Sequence, residues 1–132
     1  LAGEPVRKFM VANPVTVSPG LSLDDLIEDY IYRYHFKMFP VVDEGRLLGC
    51  VTLDRVKEVP KEERGRHQVA QLAKECSEEN TIGPDDDVIK ALTIMKKANR
   101  SRLMVVEGHR LVGVISLKDI LGFLSLKLDL EG

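Results

Sequence analysis

Tryptophan is absent from this chain of 132 residues, and aromatic residues make up only 5% of it. Its core must therefore be built mainly from Val, Leu and Ile. Neither sign of charge dominates: 19 Lys and Arg face 21 Asp and Glu, a net charge of −2. That balance argues against a nucleic-acid partner, because neutralising phosphates takes a surplus of Lys and Arg. Cysteine occurs only at Cys50 and Cys76, without paired spacing. The pattern predicts free thiols, buried or half-buried, in a reducing compartment rather than a disulfide. His35, His67 and His109 stand singly, with no C-x-x-C and no H-E-x-x-H, so no zinc site is expected. No apolar run approaches the roughly 20 residues needed to cross a bilayer, and no secretory signal is visible. Direct membrane insertion is therefore not expected. The first residue is Leu rather than Met, which suggests a piece of a longer protein whose membrane segment would lie elsewhere.

What is present is ordinary in composition and unusual in order. With 44% hydrophobic and 30% charged residues, the chain reads as globular rather than disordered. Its length suits one compact domain or two very small ones sharing a core. The chain also repeats itself. The segment from Phe39 to Leu53 matches Leu103 to Leu117 without a gap at an offset of 64. An apolar pair, an acidic residue, a turn, Arg, two aliphatics, Gly, two apolar residues and a hydroxyl residue recur in that order. Upstream the offset is 65, with Thr16-Val17-Ser18-Pro19 over Thr81-Ile82-Gly83-Pro84. The one-residue slip is expected in the loop between helix and strand.

Each repeat predicts the same elements. Ser22 or Asp85 offers an N-cap oxygen, and Leu23, Leu26, Ile27, Tyr30 and Ile31 follow at helical spacing, as do Val88, Leu92 and Met95. The runs Asp24-Asp25 and Asp85-Asp86-Asp87 imitate a catalytic cluster, but at a helix start such residues are usually partners of the helix dipole. A hairpin is predicted from Met38 to Val51 around Asp43-Glu44-Gly45-Arg46, and another from Leu103 to Ile115 around Glu107-Gly108-His109. A second helix follows from Leu53 and from Leu117. The stretch from Lys57 to Arg66, mixed in charge and holding Pro60, reads as a connector. Residues 1–65 thus form the first repeat with its connector, and 66–132 the second with a C-terminal helix.

A β-α-β-β-α unit of about 60 residues present twice resembles the CBS domain family. The residues that carry the likeness are Phe39-Pro40-Val41-Val42-Asp43 with Leu47-Leu48-Gly49-Cys50-Val51-Thr52, and Leu103-Met104-Val105-Val106-Glu107 with Leu111-Val112-Gly113-Val114-Ile115-Ser116-Leu117-Lys118-Asp119-Ile120. Val6 to Met10 and Asn13 to Val17 look like the start of the first unit. The resemblance implies an α/β (α+β) fold, with two tandem β-α-β-β-α CBS repeats packed as one globule, a Bateman module. It also implies a homodimer, a regulatory rather than catalytic role, and no required cofactor. Its usual ligand is an adenosine nucleotide: AMP, ADP, ATP or S-adenosylmethionine. The wording Arg33-Tyr34-His35-Phe36-Lys37-Met38-Phe39-Pro40-Val41-Val42-Asp43 is also similar to CBS pairs attached to membrane zinc metalloproteases of the site-2 type. That likeness implies a cytoplasmic module, on the cytoplasmic face of a membrane-anchored parent that would serve as its effector.

The family's ribose and phosphate signature is a hydroxyl residue with Asp three positions later. A carboxylate can accept from the 2′- and 3′-hydroxyls of ribose, and a hydroxyl at a helix start can donate to phosphate. The second repeat keeps the pattern as Ser116-Leu117-Lys118-Asp119. The first has Thr52-Leu53-Asp54-Arg55, with Arg55 in the acidic place. Asp54 lies one residue early, roughly 100° around the helix. Ser116, Asp119, Lys118, Thr81, Ile82, Arg102, Leu103 and Thr52 are therefore the candidate ligand residues, with Arg100, Arg102 and Lys118 supplying positive charge for phosphates. The resemblance assigns Thr81, Ile82, Arg102 and Leu103 to the adenine side. Asp119 as a plain first-turn acid, and the module as a ligand-free dimerisation device, are the competing readings.

Overall fold

The computed structural model describes residues 2–132. The elements run β1 (Val11–Ala12), α1 (Leu23–Leu26), a π turn (Ile27–Ile31), α2 (Tyr32–Tyr34), β2 (Met38–Asp43) and β3 (Arg46–Thr52). They continue through α3 (Leu53–Lys57), β4 (Thr81–Ile82), α4 (Val88–Ala98), β5 (Arg102–Glu107), β6 (Arg110–Ser116) and α5 (Leu117–Glu131). Short 3-10 turns lie at Val6–Lys8, Lys61–Arg66 and Val69–Gln71. The fold is α+β, and the predicted hairpins and helices are all present. Two compact units result, one of Leu1–Pro14 with Ser77–Gly132 and one of Val15–Cys76.

The sequence repeats and the compact units are not the same segments. Residues before β1, which look like the start of the first repeat, are bonded into the unit that holds the second. Val6 N–H donates to Asp86 O, Arg7 N–H to Pro84 O, and Val88 N–H to Glu4 O. The other unit repeats this with the segment before the second repeat. There Val69 N–H donates to Leu21 O, Ala70 N–H to Pro19 O, and Leu23 N–H to His67 O. Each repeat thus lends its lead-in segment to the other repeat's unit. The strand order β1-β6-β5-β4 shows the consequence, since β1 closes one edge of a sheet whose other strands come from the far end of the chain. In the second unit the β2-β3 hairpin is flanked in the same way by single bridges, Val17 to Val41 and Lys74 to Cys50.

A glycine makes each edge contact possible. Gly49 and Gly113 each mark a β-bulge in their hairpin, which kinks and twists the strand. A methyl group on Gly113 would stand 2.8 Å from Val11 O and 2.8 Å from Met10 Sδ, while one on Gly49 would overlap Lys74 O. The hairpin tips differ: Glu44 and Gly45 both have positive φ, whereas Gly108 alone does so in the second.

Beneath the sheets lie two separate aliphatic cores. One gathers Val6, Ile82, Val88, Leu103, Val105, Ile115 and Ile120. The other gathers Val17, Leu23, Leu26, Phe39, Val41, Val51, Val56 and Val69. Around Phe39 the second adds Tyr30 and Phe36, with ring centroids 5.9 Å and 5.8 Å away.

Two expectations are corrected. The N-cap of α4 is Asp87, whose carboxylate accepts from Ile89 N–H, and not Asp85. Asp85 instead pairs with Arg7 at 3.4 Å. The one-residue slip also lies inside the first helix rather than in a loop. That helix runs unbroken over 23–34 and ends at His35, while α4 runs over Val88–Ala98 and ends at Asn99. Both caps are left-handed, so the ends correspond at the hairpin's offset. The extra residue is taken up by the π turn at Ile27–Ile31, whose wider ring lets the apolar stripe resume on the same face. Neither thiol lies in a disulfide; Cys50 is buried as expected, whereas Cys76 is exposed, against the expectation.

Candidate functional site

The ladder between β5 and β6 places Ser116 opposite Arg102. Ser116 is buried, in an extended conformation, and is the N-cap of α5; its Oγ accepts from Asp119 N–H at 3.1 Å. The same Oγ donates to Asp119 Oδ2 at 2.8 Å. Hydroxyl and carboxylate are thus locked together in the first turn. Leu117 N–H donates to Ser101 O at 2.8 Å, tying the loop before β5 to the start of α5.

Positive charge meets that turn. Arg102 is half-buried, and burial pushes its guanidinium pKa down while the nearby Asp119 charge pulls it up. Nε of Arg100, two residues earlier, is buried without a hydrogen-bond partner among the described residues. A buried donor left unpaired costs about 1–3 kcal/mol, so Arg100 Nε favours an added acceptor. Lys118 is exposed on the next turn position.

Not all candidates gather here. Thr81 and Ile82 line a cleft of about 630 Å³ with Glu78, Lys90, Thr93 and Lys97 of the same unit. Neither Ser116, Asp119 nor Arg102 borders it. Ile82 and Leu103 are buried in the core, so each offers only backbone to a ligand. Thr81 Oγ1 already donates to Ser77 O at 2.6 Å. Thr52 lies in the other compact unit, where it caps α3 by accepting from Arg55 N–H at 3.4 Å. Arg55, in the place that Asp119 takes in the second repeat, pairs instead with Glu58 at 3.9 Å.

Lys90, Thr93 and Lys97 were not singled out from the sequence, although their spacing places them on one face of α4. Asp86 was read only as a dipole partner. Its carboxylate in fact fastens the cleft's lip, accepting from Gly83 N–H at 2.9 Å and facing Lys90 Nζ at 3.5 Å. Asp85, Asp86 and Asp87 therefore serve as pairing and capping groups. Among the described residues, no cluster of three or more His, Cys, Asp or Glu is placed to hold a metal ion.

The CBS domain family matches residues 6–62 and again 73–126. A zinc metalloprotease of Methanocaldococcus jannaschii is 30% identical over 120 residues, 91% of this chain and 32% of that protein. An inosine-5′-monophosphate dehydrogenase of Bifidobacterium longum is 30% identical over 115 residues, 83% of this chain and 20% of that protein. The chain therefore spans about a third or less of these relatives. Among solved structures, the CBS domain of a bacterial CNNM/CorC family Mg2+ transporter in complex with ATP has a TM-score of 0.72 at 20% identity, covering 89% of this chain and 84% of that one. Two repeats, two matches and a shared fold agree: the chain belongs to the CBS domain family, as a tandem pair with a regulatory role.

Proposed function

We propose that this CBS pair senses an adenosine nucleotide, AMP, ADP or ATP, through the Ser116–Asp119 turn and so biases an attached effector. The observation that carries the reading is the 2.8 Å bond from Ser116 to Asp119 beside the half-buried Arg102. It holds a carboxylate and a cation ready, one for ribose hydroxyls and one for phosphate. The bound ATP of the transporter CBS domain supports the same chemistry on the same fold. Lys118 and Arg100 add charge for the phosphates. Thr81 and Ile82, along their separate cleft, and Leu103 and Thr52 take a secondary part at most.

The effector is the remainder of a longer polypeptide. The zinc metalloprotease relative supports a protease of the site-2 type, with this module on the cytoplasmic face of its membrane. No helix among the described residues is long and apolar enough to cross a membrane, so any span belongs to that remainder. Two copies of the module associate as a homodimer.

A second reading, ligand-free assembly, is favoured by two observations. Arg55 stands where the second repeat has Asp119, and α5 exposes Leu121, Leu126, Leu128 and Leu130. Thermal melting with AMP, ADP and ATP separates the two. At 100-fold excess over Kd, binding to the folded state adds about 2.7 kcal/mol, so the melting temperature rises. A curve unmoved by millimolar nucleotide leaves only assembly.

A further inference from the structure

The exchange of lead-in segments places residues 1–14 and α5 in one compact unit. The Ser116–Asp119 turn therefore shares a folded body with both ends of the described chain. One face of α5 links them. Asp119, Phe123 and Lys127 are spaced four residues apart, so they stack along a single stripe of the helix. Asp119 interacts with Arg102 at the start of β5. Phe123 meets Phe9 of the lead-in segment edge to face, with ring centroids 4.9 Å apart. Lys127 lies within electrostatic reach of Glu4, which also pairs with Lys8 at 2.8 Å. The contact is seated on the core, which holds Phe9 and Ile120 and against which Phe123 packs.

The corresponding positions in the other unit are plainer. Leu72 and Val59 stand where Phe9 and Phe123 do, and α3 ends at Lys57 ahead of Pro60. No long helix continues there. The aromatic contact and the extended helix thus both belong to the compact unit that keeps Asp119, and not to the other.

We propose that the Phe9–Phe123 contact is a coupling joint, through which a change at the Ser116–Asp119 turn is passed along α5 to the lead-in segment. A helix is stiff over two turns, and close-packed aromatic rings transmit displacement because the interior has no slack. Any shift of Asp119 as it changes partners rotates or translates Phe123, and Phe9 must follow. Phe123 and Phe9 act here as positioning residues; neither touches a ligand. The inference goes beyond the nucleotide reading and can be tested without any nucleotide.

The test is amide hydrogen exchange on the whole 132-residue chain. Asp119→Asn removes the charge from the turn while leaving the exposed side chain's size unchanged. It should speed exchange of Phe9, Met10, Val11 and Ala12 several-fold. Residues 69–74, the equivalent segment of the other unit, should stay at the wild-type rate. In a Phe123→Leu background, which keeps an apolar side chain against the core, Asp119→Asn should still loosen the first turn of α5 but leave residues 9–12 unmoved. Such non-additivity is the signature of a coupled pair. Unchanged exchange at residues 9–12, an equal rise in both backgrounds, or a matching rise at residues 69–74 would each overturn the joint. None of these outcomes depends on whether a nucleotide binds, so the two readings fail separately.

Discussion

Glycine and aspartate show how single residues decide this structure. Gly113 admits the backbone of Val11 to the edge of β6, and a methyl group there would meet an oxygen at 2.8 Å. Gly113→Ala should cost about 1–3 kcal/mol, the range for forcing atoms into filled space. Gly122, within α5 and with nothing inside 4 Å of its added Cβ, should respond oppositely. Gly122→Ala should gain about 0.5–1 kcal/mol from lower backbone entropy and better helix propensity. Urea unfolding of the two variants checks both signs. Asp87 offers a test in pH. Its carboxyl is held below the ordinary aspartate range by the Ile89 and Gly3 amides that donate to it. A depressed folded-state pKa means that the ionised form favours folding, fully at neutral pH, and that the benefit is lost as pH falls through the folded-state titration. Asp87→Asn should therefore melt below wild type at neutral pH and converge with it in acid. A constant gap across that range would show that the charge contributes nothing.

Elements were legible in the sequence wherever local pattern alone dictates them. The hairpins carry alternating apolar residues around acidic and Gly turns, and both Ser116 and Thr52 read as helix starts from their sequence context. Three features were hidden for physical reasons. Three adjacent aspartates satisfy the same capping chemistry, so spacing could not choose Asp87 over Asp85. The offset change from 65 to 64 gave the existence of an extra residue but not its place, because a π turn and a longer loop look alike in sequence. The lead-in exchange was invisible because Val6 and Phe9 announce burial without naming what buries them. The π turn can be tested directly. Deleting Asp29, an exposed residue inside it, should convert 23–34 into a regular helix of α4's length and lower stability only slightly. Deleting Lys96 from regular α4 should unfold that unit, since every later side chain would turn about 100°. Circular dichroism melts distinguish the cases, and equal damage from both deletions would remove the π turn as the site of the insertion.

For the molecule as a whole, a regulatory part is set by the family, while its ligand and its partners rest on chemistry. The proposed site was only partly legible: Ser116 bonds to Asp119, whose charge acts on Arg102, while Thr81 and Ile82 line a separate cleft of the same unit. Sequence spacing cannot reveal that, because strand order decides which ends of strands are neighbours. Assembly is open to a simple check. Leu128 and Leu130 are 71% and 86% exposed on the last turns of α5, an apolar surplus that pairing two copies would cover. Light scattering at micromolar concentration should give a dimer mass that Leu128→Glu reduces; a monomer mass in the wild type would exclude pairing through this helix. The nucleotide itself is tested most directly by isothermal titration calorimetry of ATP and AMP into the wild-type chain and into Asp119→Ala. Saturable heat in the wild type, weakened at least tenfold by the substitution, or about 1.4 kcal/mol, is the expected result. Equal binding by both proteins, or no heat from either nucleotide, would contradict a site built on Asp119.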